Sequence, residues 1–504
     1  MKLIKNAALN LDNQAIISDN QSYSYQNLLD SSHEFASLLL ENTTDLNQTR
    51  VAFMVSPGFD YVAVQWAIWR AGGIAVPLCI SYPLPSLQYV IEDTGAEIVI
   101  VGAEYAEILQ PLAAEKGFRF IVLPEVKKEN IVLKKLPNLQ SSRKAMILYT
   151  SGTTNLPKGV VTTHANIEAQ VSTLVKSWQW AATDHILCVL PLHHVHGIIN
   201  VISCALWSGA TVEFLPSYSA EGVYGAFEKG KINVFMAVPT IYFKLISHWE
   251  SLPTDQQKQI TDTLAKFRLM VSGSAALPVS VMEKWKNIST HTLLERYGMT
   301  EIGMGISNPY DAERKAGYIG KPLAGVKARL VDENNVAVKR GQAGEIQIKG
   351  KNVFLEYWNK PEATQKTFTA DGWFKTGDVA VVEKGYYRIL GRDSIDIIKS
   401  GGYKISALEI EEILRTHPAI DDCSVVGIPN EEWGELVVAA IIVNDPNIDL
   451  KALNTWMREK MPAYKTPRQY KVIDELPRNA MGKVTKNDLK KLFRVWLCFF
   501  FPLL

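Results

Sequence analysis

The sequence predicts an α/β protein built on parallel sheets. Short apolar runs alternate with amphipathic helical stretches across residues 15–101 and again further on, the pattern of repeated strand–helix–strand units. The 504 residues are enough for two or more domains and a large core. A hydrophobic content of 47% with 21% charged residues is that of a soluble globular chain.

In order, residues 25–40 place Leu28, Leu29, Phe35, Leu38 and Leu39 at helical spacing. Residues 51–55 (V-A-F-M-V) read as a buried strand and Ser56-Pro57-Gly58 as its turn. A helix over 61–70 ends at Ala71-Gly72-Gly73, and 74–77, 98–101 and 121–123 continue as strands. Residues 127–144 are polar and basic, a surface connection leading to the apolar run at 146.

Residues 146–161 read M-I-L-Y-T-S-G-T-T-N-L-P-K-G-V-V. The apolar Met146, Ile147, Leu148 and Tyr149 make a buried strand, which breaks into Thr150, Ser151, Gly152, Thr153 and Thr154, then Asn155, Pro157, Lys158 and Gly159. Four hydroxyls, free backbone N–H groups and one ammonium converge here, which suits a polyphosphate. The loop is not G-x-x-x-x-G-K-[S/T], because Pro157 precedes Lys158 and no Ser or Thr follows it.

The run His193-His194-Val195-His196-Gly197 has no carboxylate at metal-ligand spacing, which argues against zinc and for a packed strand-to-helix turn. Residues 232–238 are a buried strand, and Pro239-Thr240 starts a helix. A strand over 267–271 runs into Ser272-Gly273-Ser274-Ala275-Ala276. Those small residues make either a tight turn or a surface that a flat ring can approach. In 293–304 (L-L-E-R-Y-G-M-T-E-I-G-M) Tyr297 offers a stacking face, Thr300 a hydroxyl and Glu301 a hard oxygen ligand for Mg²⁺. Residues 317–325 and 344–350 read as β-hairpin text. Asp378 closes D-G-W-F-K-T-G-D, an acid after a glycine turn suited to two ribose hydroxyls. Ser406 caps a helix, with Glu409 three residues on as a capping-box partner.

The net charge of +1 gives no electrostatic case for nucleic acid or anionic membranes. Five dispersed cysteines without a C-x-x-C pair suggest reduced thiols. M-K-L-I-K-N has no signal-peptide core, and Asp12 and Asp19 argue against a transit peptide. The expectation is a cytoplasmic protein without a transmembrane segment. The uncharged residues 495–504 are too few to span a bilayer, which takes about 20. They read as a docking tail, a membrane-surface anchor or, the preferred reading, a gene-prediction error.

The loop at 146–161 resembles the phosphate-binding signature of the acyl-adenylate-forming enzymes: acyl-CoA synthetases, nonribosomal adenylation domains and firefly-type luciferases. The usual motif has Gly where this chain has Asn155. The run Y-G-M-T-E at 297–301 is a second motif of that family. The resemblance implies a large N-terminal AMP-binding domain over 1–391, with a β-barrel-like subdomain, and a hinge at 392–393 pivoting on Asp393. A small α+β domain over 394–492 and an atypical apolar tail over 493–504 complete the chain. It also implies that Thr150, Ser151, Gly152, Thr153, Thr154 and Lys158 bind the phosphates of ATP. Gly273, Ser274, Ala275 and Tyr297 line the adenine pocket, and Asp378 and Arg392 hold the ribose. Thr300 contacts the α-phosphate, and Glu301, with Thr150, holds Mg²⁺. His194 sits beside the substrate carboxylate. Lys483, in P-R-N-A-M-G-K, matches the catalytic lysine. Gly401, Gly402 and Tyr403 offer backbone to the pantetheine of coenzyme A. The substrate carboxylate then attacks the α-phosphate itself, and a thiol attacks the resulting acyl-AMP.

The chain has no carrier-protein or condensation domain, so CoA is the expected acceptor. A fatty-acyl pocket would exclude a buried guanidinium at Arg296, whereas a dicarboxylate needs a cationic partner for its distal end. The runs around Arg296, H-H-V-H-G and I-N-V-F-M-A-V-P-T-I-Y resemble the malonyl-CoA synthetases over nearly the whole chain. That likeness implies that Arg296 holds the free carboxylate and Met304 shapes a small pocket, against the plainer reading that Arg296 pairs with Glu295 at the surface. The expected substrate is malonate, with methylmalonate weaker. Other readings are a synthetase for another small, medium-chain or aryl acid, a luciferase-like oxygenase, or a non-catalytic binder.

Overall fold

A computed structural model describes residues 1–123, 131–150, 156–393, 395–401, 403–446, 448–479 and 482–497. Two large sheets dominate the N-terminal part. In the nine-stranded sheet, strands Leu294–Met299, Leu269–Gly273, Val234–Ala237, His185–Cys188, Thr211–Phe214 and Gln14–Ser18 are neighbours and parallel. In the seven-stranded sheet, Lys144–Thr150, Ile74–Pro77, Arg50–Met54, Ile98–Gly102 and Arg119–Leu123 are likewise parallel. Such strands are covered on both faces and read as unbroken apolar runs. This is the α/β class that the alternating pattern predicts.

Helix Phe59–Arg70 shows why the sheets hold together. It is buried almost all round, Trp66 and Trp69 included, and it packs against strands of both sheets. A helix apolar on every side belongs inside a protein, and truncating either Trp to Ala there costs about 3–5 kcal/mol. Helix Tyr25–Leu40 packs on it and starts from a complete capping box between Ser24 and Asn27.

A four-stranded antiparallel sheet comes next, ordered Val326–Val331, Gly344–Gly350, Phe374–Glu383 and Tyr386–Arg392. It has its own core of Ile346, Ile348, Phe354 and Phe374. The hairpin text at 344–350 forms its strand, but 317–325 yields only the two-residue edge strand Lys321–Pro322. Gly317 and Gly320 have positive φ there, which breaks the extended run. The C-terminal sheet comprises Tyr403–Ser406, Ile397–Ser400, Gly434–Val443 and Ile420–Asn430, with Gln469–Val472 added parallel. Ser406 caps helix Ala407–Leu414 by accepting from the Glu409 N–H at 3.2 Å. The Glu409 carboxylate does not close a capping box; it pairs with Lys465 at 2.6 Å. The final helix runs Lys486–Leu497 and buries Phe493 against Val426 and Val438.

Candidate active site

The predicted site residues gather where parallel strands end, the usual place for ligands in open α/β sheets. Thr150 ends strand Lys144–Thr150 and lies opposite Lys158 across an antiparallel pair. The Lys158 ammonium sits 5.2 Å from the Tyr357 ring centroid. Tyr89 fixes the end of the loop, its hydroxyl donating to the Pro157 carbonyl at 2.9 Å. Ser151, Gly152, Thr153 and Thr154 lie outside the described residues.

Gly273 ends strand Leu269–Gly273, and Ser274 follows with φ +71°, a backbone conformation uncommon for any residue but Gly. Ala275, next in line, is exposed. Tyr297 lies in the adjacent strand, and its hydroxyl donates to Asp378 Oδ2 at 2.6 Å. Asp378 and Arg392 face each other across the hairpin of the four-stranded sheet. Burial works against the Arg392 charge, but the Asp378 carboxylate outweighs it and drives that pKa up.

Thr300 and Glu301 occupy the tight turn between strands Leu294–Met299 and Gly303–Ser307, closed by the Ile302 N–H on the Met299 carbonyl at 3.1 Å. Glu301 is 6% exposed and accepts from the Tyr357 hydroxyl at 2.8 Å. Burial raises its pKa, and among the described residues no Lys or Arg forms an ion pair with it. A buried carboxylate held in place without a cationic partner fits a hard cation.

Arg296 does not pair with Glu295 at the surface. Neighbouring strand residues point to opposite faces, and Arg296 is 2% exposed. Its guanidinium lies against Gly273, where an added Cβ would be 2.7 Å from Cζ. Nη2 donates to Ser274 Oγ at 3.2 Å, while Nε and Nη1 have no partner. Burial lowers its pKa to about 9. Ser274 Oγ also meets His196 Nδ1 at 3.2 Å. The His194 ring lies against His193, tilted by 49° with 4.0 Å between centroids, and Nε2 of each of the three histidines is buried without a partner. Burial, with the His193 and Lys483 charges, takes His194 down to about 3, so it is neutral. Met304 is buried in strand Gly303–Ser307, its N–H held by Gln170 Oε1 at 2.6 Å.

Lys483 reaches this group from the C-terminal part. Its turn is closed by the Asn479 N–H on the Lys483 carbonyl at 2.9 Å, and an added Cβ on Gly482 would be 2.9 Å from Thr240 Oγ1 in the N-terminal part. Burial lowers the Lys483 pKa, followed by Arg296 and Arg392, with Asp378 opposing.

Gly401 and Tyr403 lie apart from this cluster. Gly401 has φ +56° and its N–H donates to the Trp433 carbonyl at 2.8 Å. Tyr403 is 54% exposed and stacks on Tyr464; Gly402 lies outside the described residues. The Asp393 N–H donates to the Gly377 carbonyl at 3.0 Å. His196 and Tyr357 are the contributors that the sequence did not single out. His196 sits inside H-H-V-H-G, where the run itself was the signal; Tyr357 touches Glu301 across 56 residues with no local signal.

Residues 3–358 match the AMP-binding enzyme model and residues 409–483 its C-terminal domain. A mitochondrial malonate–CoA ligase of Bos taurus is 45% identical over 95% of this chain and 88% of its own length. ATP-bound MatB from Rhodopseudomonas palustris superposes with a TM-score of 0.90 at 31% identity, covering 98% of this chain and 99% of that one. A malonyl-CoA ligase in a ternary product complex with methylmalonyl-CoA and AMP gives 0.68 at 33% identity, covering 93% and 97%. Among the described residues no helix is long and apolar enough to cross a membrane. With both of its models matched and relatives aligned over nearly its full length, the chain belongs to the AMP-binding enzyme family.

Proposed function

We propose that this chain ligates malonate to coenzyme A in an ATP- and Mg²⁺-dependent reaction, through malonyl-AMP, releasing pyrophosphate and AMP. The observation that carries the reading is Arg296, fully buried with two donors unpartnered. A buried cation left in that state is costly, and a carboxylate at the far end of a short diacid answers it with a bidentate pair. Met304, buried on the neighbouring strand, limits the pocket to a small acid, so methylmalonate is a weaker substrate.

One carboxylate of the substrate docks on Arg296 and the other attacks the α-phosphate. No protein nucleophile is needed. His194, neutral, orients the attacking carboxylate without protonating it. Tyr297, Asp378 and Arg392 hold the nucleoside, with Gly273, Ser274 and Ala275 beside the base. Thr150, Ser151, Gly152, Thr153, Thr154 and Lys158 hold the phosphates. Glu301, with Thr150, holds Mg²⁺, which neutralises phosphate charge when bound. Thr300 donates to the α-phosphate, and Lys483 stabilises charge that builds between the attacking oxygen and phosphorus. Once the adenylate has formed, the CoA thiol attacks its carbonyl and AMP leaves. Gly401, Gly402 and Tyr403 guide the pantetheine.

Residues 1–391 are read as the AMP-binding domain, 392–393 as the hinge centred on Asp393, 394–492 as the small domain and 493–504 as the tail. The compartment is read as cytoplasmic from the reduced-thiol composition; recovery in a mitochondrial fraction would overturn that.

The test is CoA-dependent AMP formation from malonate, methylmalonate, acetate and octanoate, in wild type and Arg296→Ala. Malonate leading in wild type and failing in the variant supports the reading. Acetate or octanoate leading, with the variant unaffected, retains adenylation and overturns malonate.

A further inference from the structure

Lys486 begins the final helix, three residues after Lys483, and is only 9% exposed. Its ammonium lies 2.7 Å from Asp396 Oδ1 and 2.8 Å from Glu411 Oε1. Glu411 is fixed in turn by the Val425 N–H at 2.8 Å and the Ser424 hydroxyl at 3.2 Å. Asp396 uses its second oxygen differently: Oδ2 accepts from the Arg392 N–H at 3.0 Å. The Arg392 side chain in turn holds Asp378, Nε to Oδ1, at 2.9 Å. A chain of ion pairs and hydrogen bonds therefore runs from Lys486, just past the Lys483 turn, through Asp396 to the Arg392–Asp378 pair.

We propose that Lys486 and Asp396 are positioning residues that register the Lys483 turn against Arg392 and Asp378 for the adenylation step. The proposal rests on Lys483 acting in that step. The far end of the turn has a separate anchor, Arg478 on Asp422 at 2.7 Å with Nη1 on the Gly482 carbonyl at 2.8 Å. Arg478 thus ties down the Gly482 end on its own, and what Lys486 and Asp396 add is placement relative to Arg392. A catalytic group displaced by about 1 Å loses on the order of 10²-fold in rate. This path of contacts does not include Gly401 or Tyr403, which are proposed to guide CoA in the second step.

Three substitutions separate placement from folding. Asp396→Asn keeps the volume and an acceptor for the Arg392 N–H but weakens the hold on Lys486. Lys486→Met removes the ammonium, and Lys486→Arg restores the charge. Each full-length variant is assayed for malonate-dependent pyrophosphate–ATP exchange, for CoA transfer from supplied malonyl-AMP, and for melting temperature. Lys483→Ala serves as the control for the underlying reading. The expected result is exchange reduced on the order of 10²-fold in Lys486→Met, less in Asp396→Asn and largely recovered in Lys486→Arg, with CoA transfer little changed. Unchanged exchange in Asp396→Asn overturns the proposal. So does an equal loss of both half-reactions that follows melting temperature. Full exchange in Lys483→Ala removes its basis by a separate route. If Lys486→Met fails to fold, Asp396→Asn and Lys486→Arg decide the matter.

Discussion

Asp378 and Arg392 stand opposite each other in one antiparallel hairpin, with Arg392 Nε 2.9 Å from Asp378 Oδ1. The Tyr297 hydroxyl takes Oδ2 at 2.6 Å, so the protein engages both oxygens and fixes the carboxylate's orientation. Hydrogen bonds to a charged group contribute about 1.5–3 kcal/mol each. Asp378→Ala is expected to raise KM for ATP roughly 10- to 100-fold. Arg392→Ala follows it, and because the two residues act as a pair the double variant loses less than the sum. A kinetic double-mutant cycle checks this; strict additivity would show that the two bind ATP independently.

Gly273→Ala tests Arg296 without substituting it. The new Cβ meets the guanidinium at 2.7 Å, so the flexible arginine yields rather than the strand. Malonate kcat/KM should fall about tenfold or more, with acetate turnover and melting temperature nearly unchanged. A matching loss for both acids would place the effect in the nucleotide site that Gly273 is proposed to line.

Arg296→Met should separate stability from activity. The guanidinium is buried with two donors unpartnered; a buried charge without a partner is costly, so exchanging it for an apolar side chain of similar size is expected to be neutral or stabilising. Melting temperature should hold or rise while malonate turnover is lost. A large fall in melting temperature would mean that Arg296 serves the fold.

Much of this arrangement was legible because it is local. Met146 to Tyr149 carries strand text straight into the Thr150–Lys158 loop, and Tyr297 to Glu301 holds stacking, hydroxyl and carboxylate groups within five consecutive positions. Relationships set by register were not legible. Asp378 meets Arg392 through a ladder with an irregularity between Val379 and Ala380, which no composition rule fixes. Tyr357 reaches Glu301, and Lys486 reaches Asp396, only after separate elements pack together. The 317–325 text misled because alternation predicts a strand, whereas Gly317 and Gly320 adopt positive φ.

Glu295 is a buried acid that burial raises from 4.5 to about 8. Its folded pKa lies above its unfolded one, so its contribution to stability is complete below about 4.5 and is lost as pH rises through about 8. Gln at 295 keeps an acceptor for the Leu277 N–H and has no charge to ionise. The melting temperature of wild type should therefore fall relative to Glu295→Gln across that window, by a few degrees. Parallel curves would show that Glu295 titrates normally.

Tyr357→Phe should move the acid limb of activity. On the proposed assignment of Mg²⁺ to Glu301 the carboxylate must be ionised, and burial raises its pKa while the Tyr357 hydroxyl, at 2.8 Å, lowers it. Activity therefore rises as pH passes the Glu301 pKa. Removing the hydroxyl takes away a bond to the charged form worth about 1.5–3 kcal/mol, so the Glu301 pKa climbs further. The acid limb of kcat/KM should shift upward, with the plateau at higher pH little affected. Raised Mg²⁺ should draw the limb back down, because metal and proton compete for the same carboxylate. A plateau lowered uniformly at every pH, with the limb in place and no response to Mg²⁺, would show that Tyr357 supports the strand and not the carboxylate.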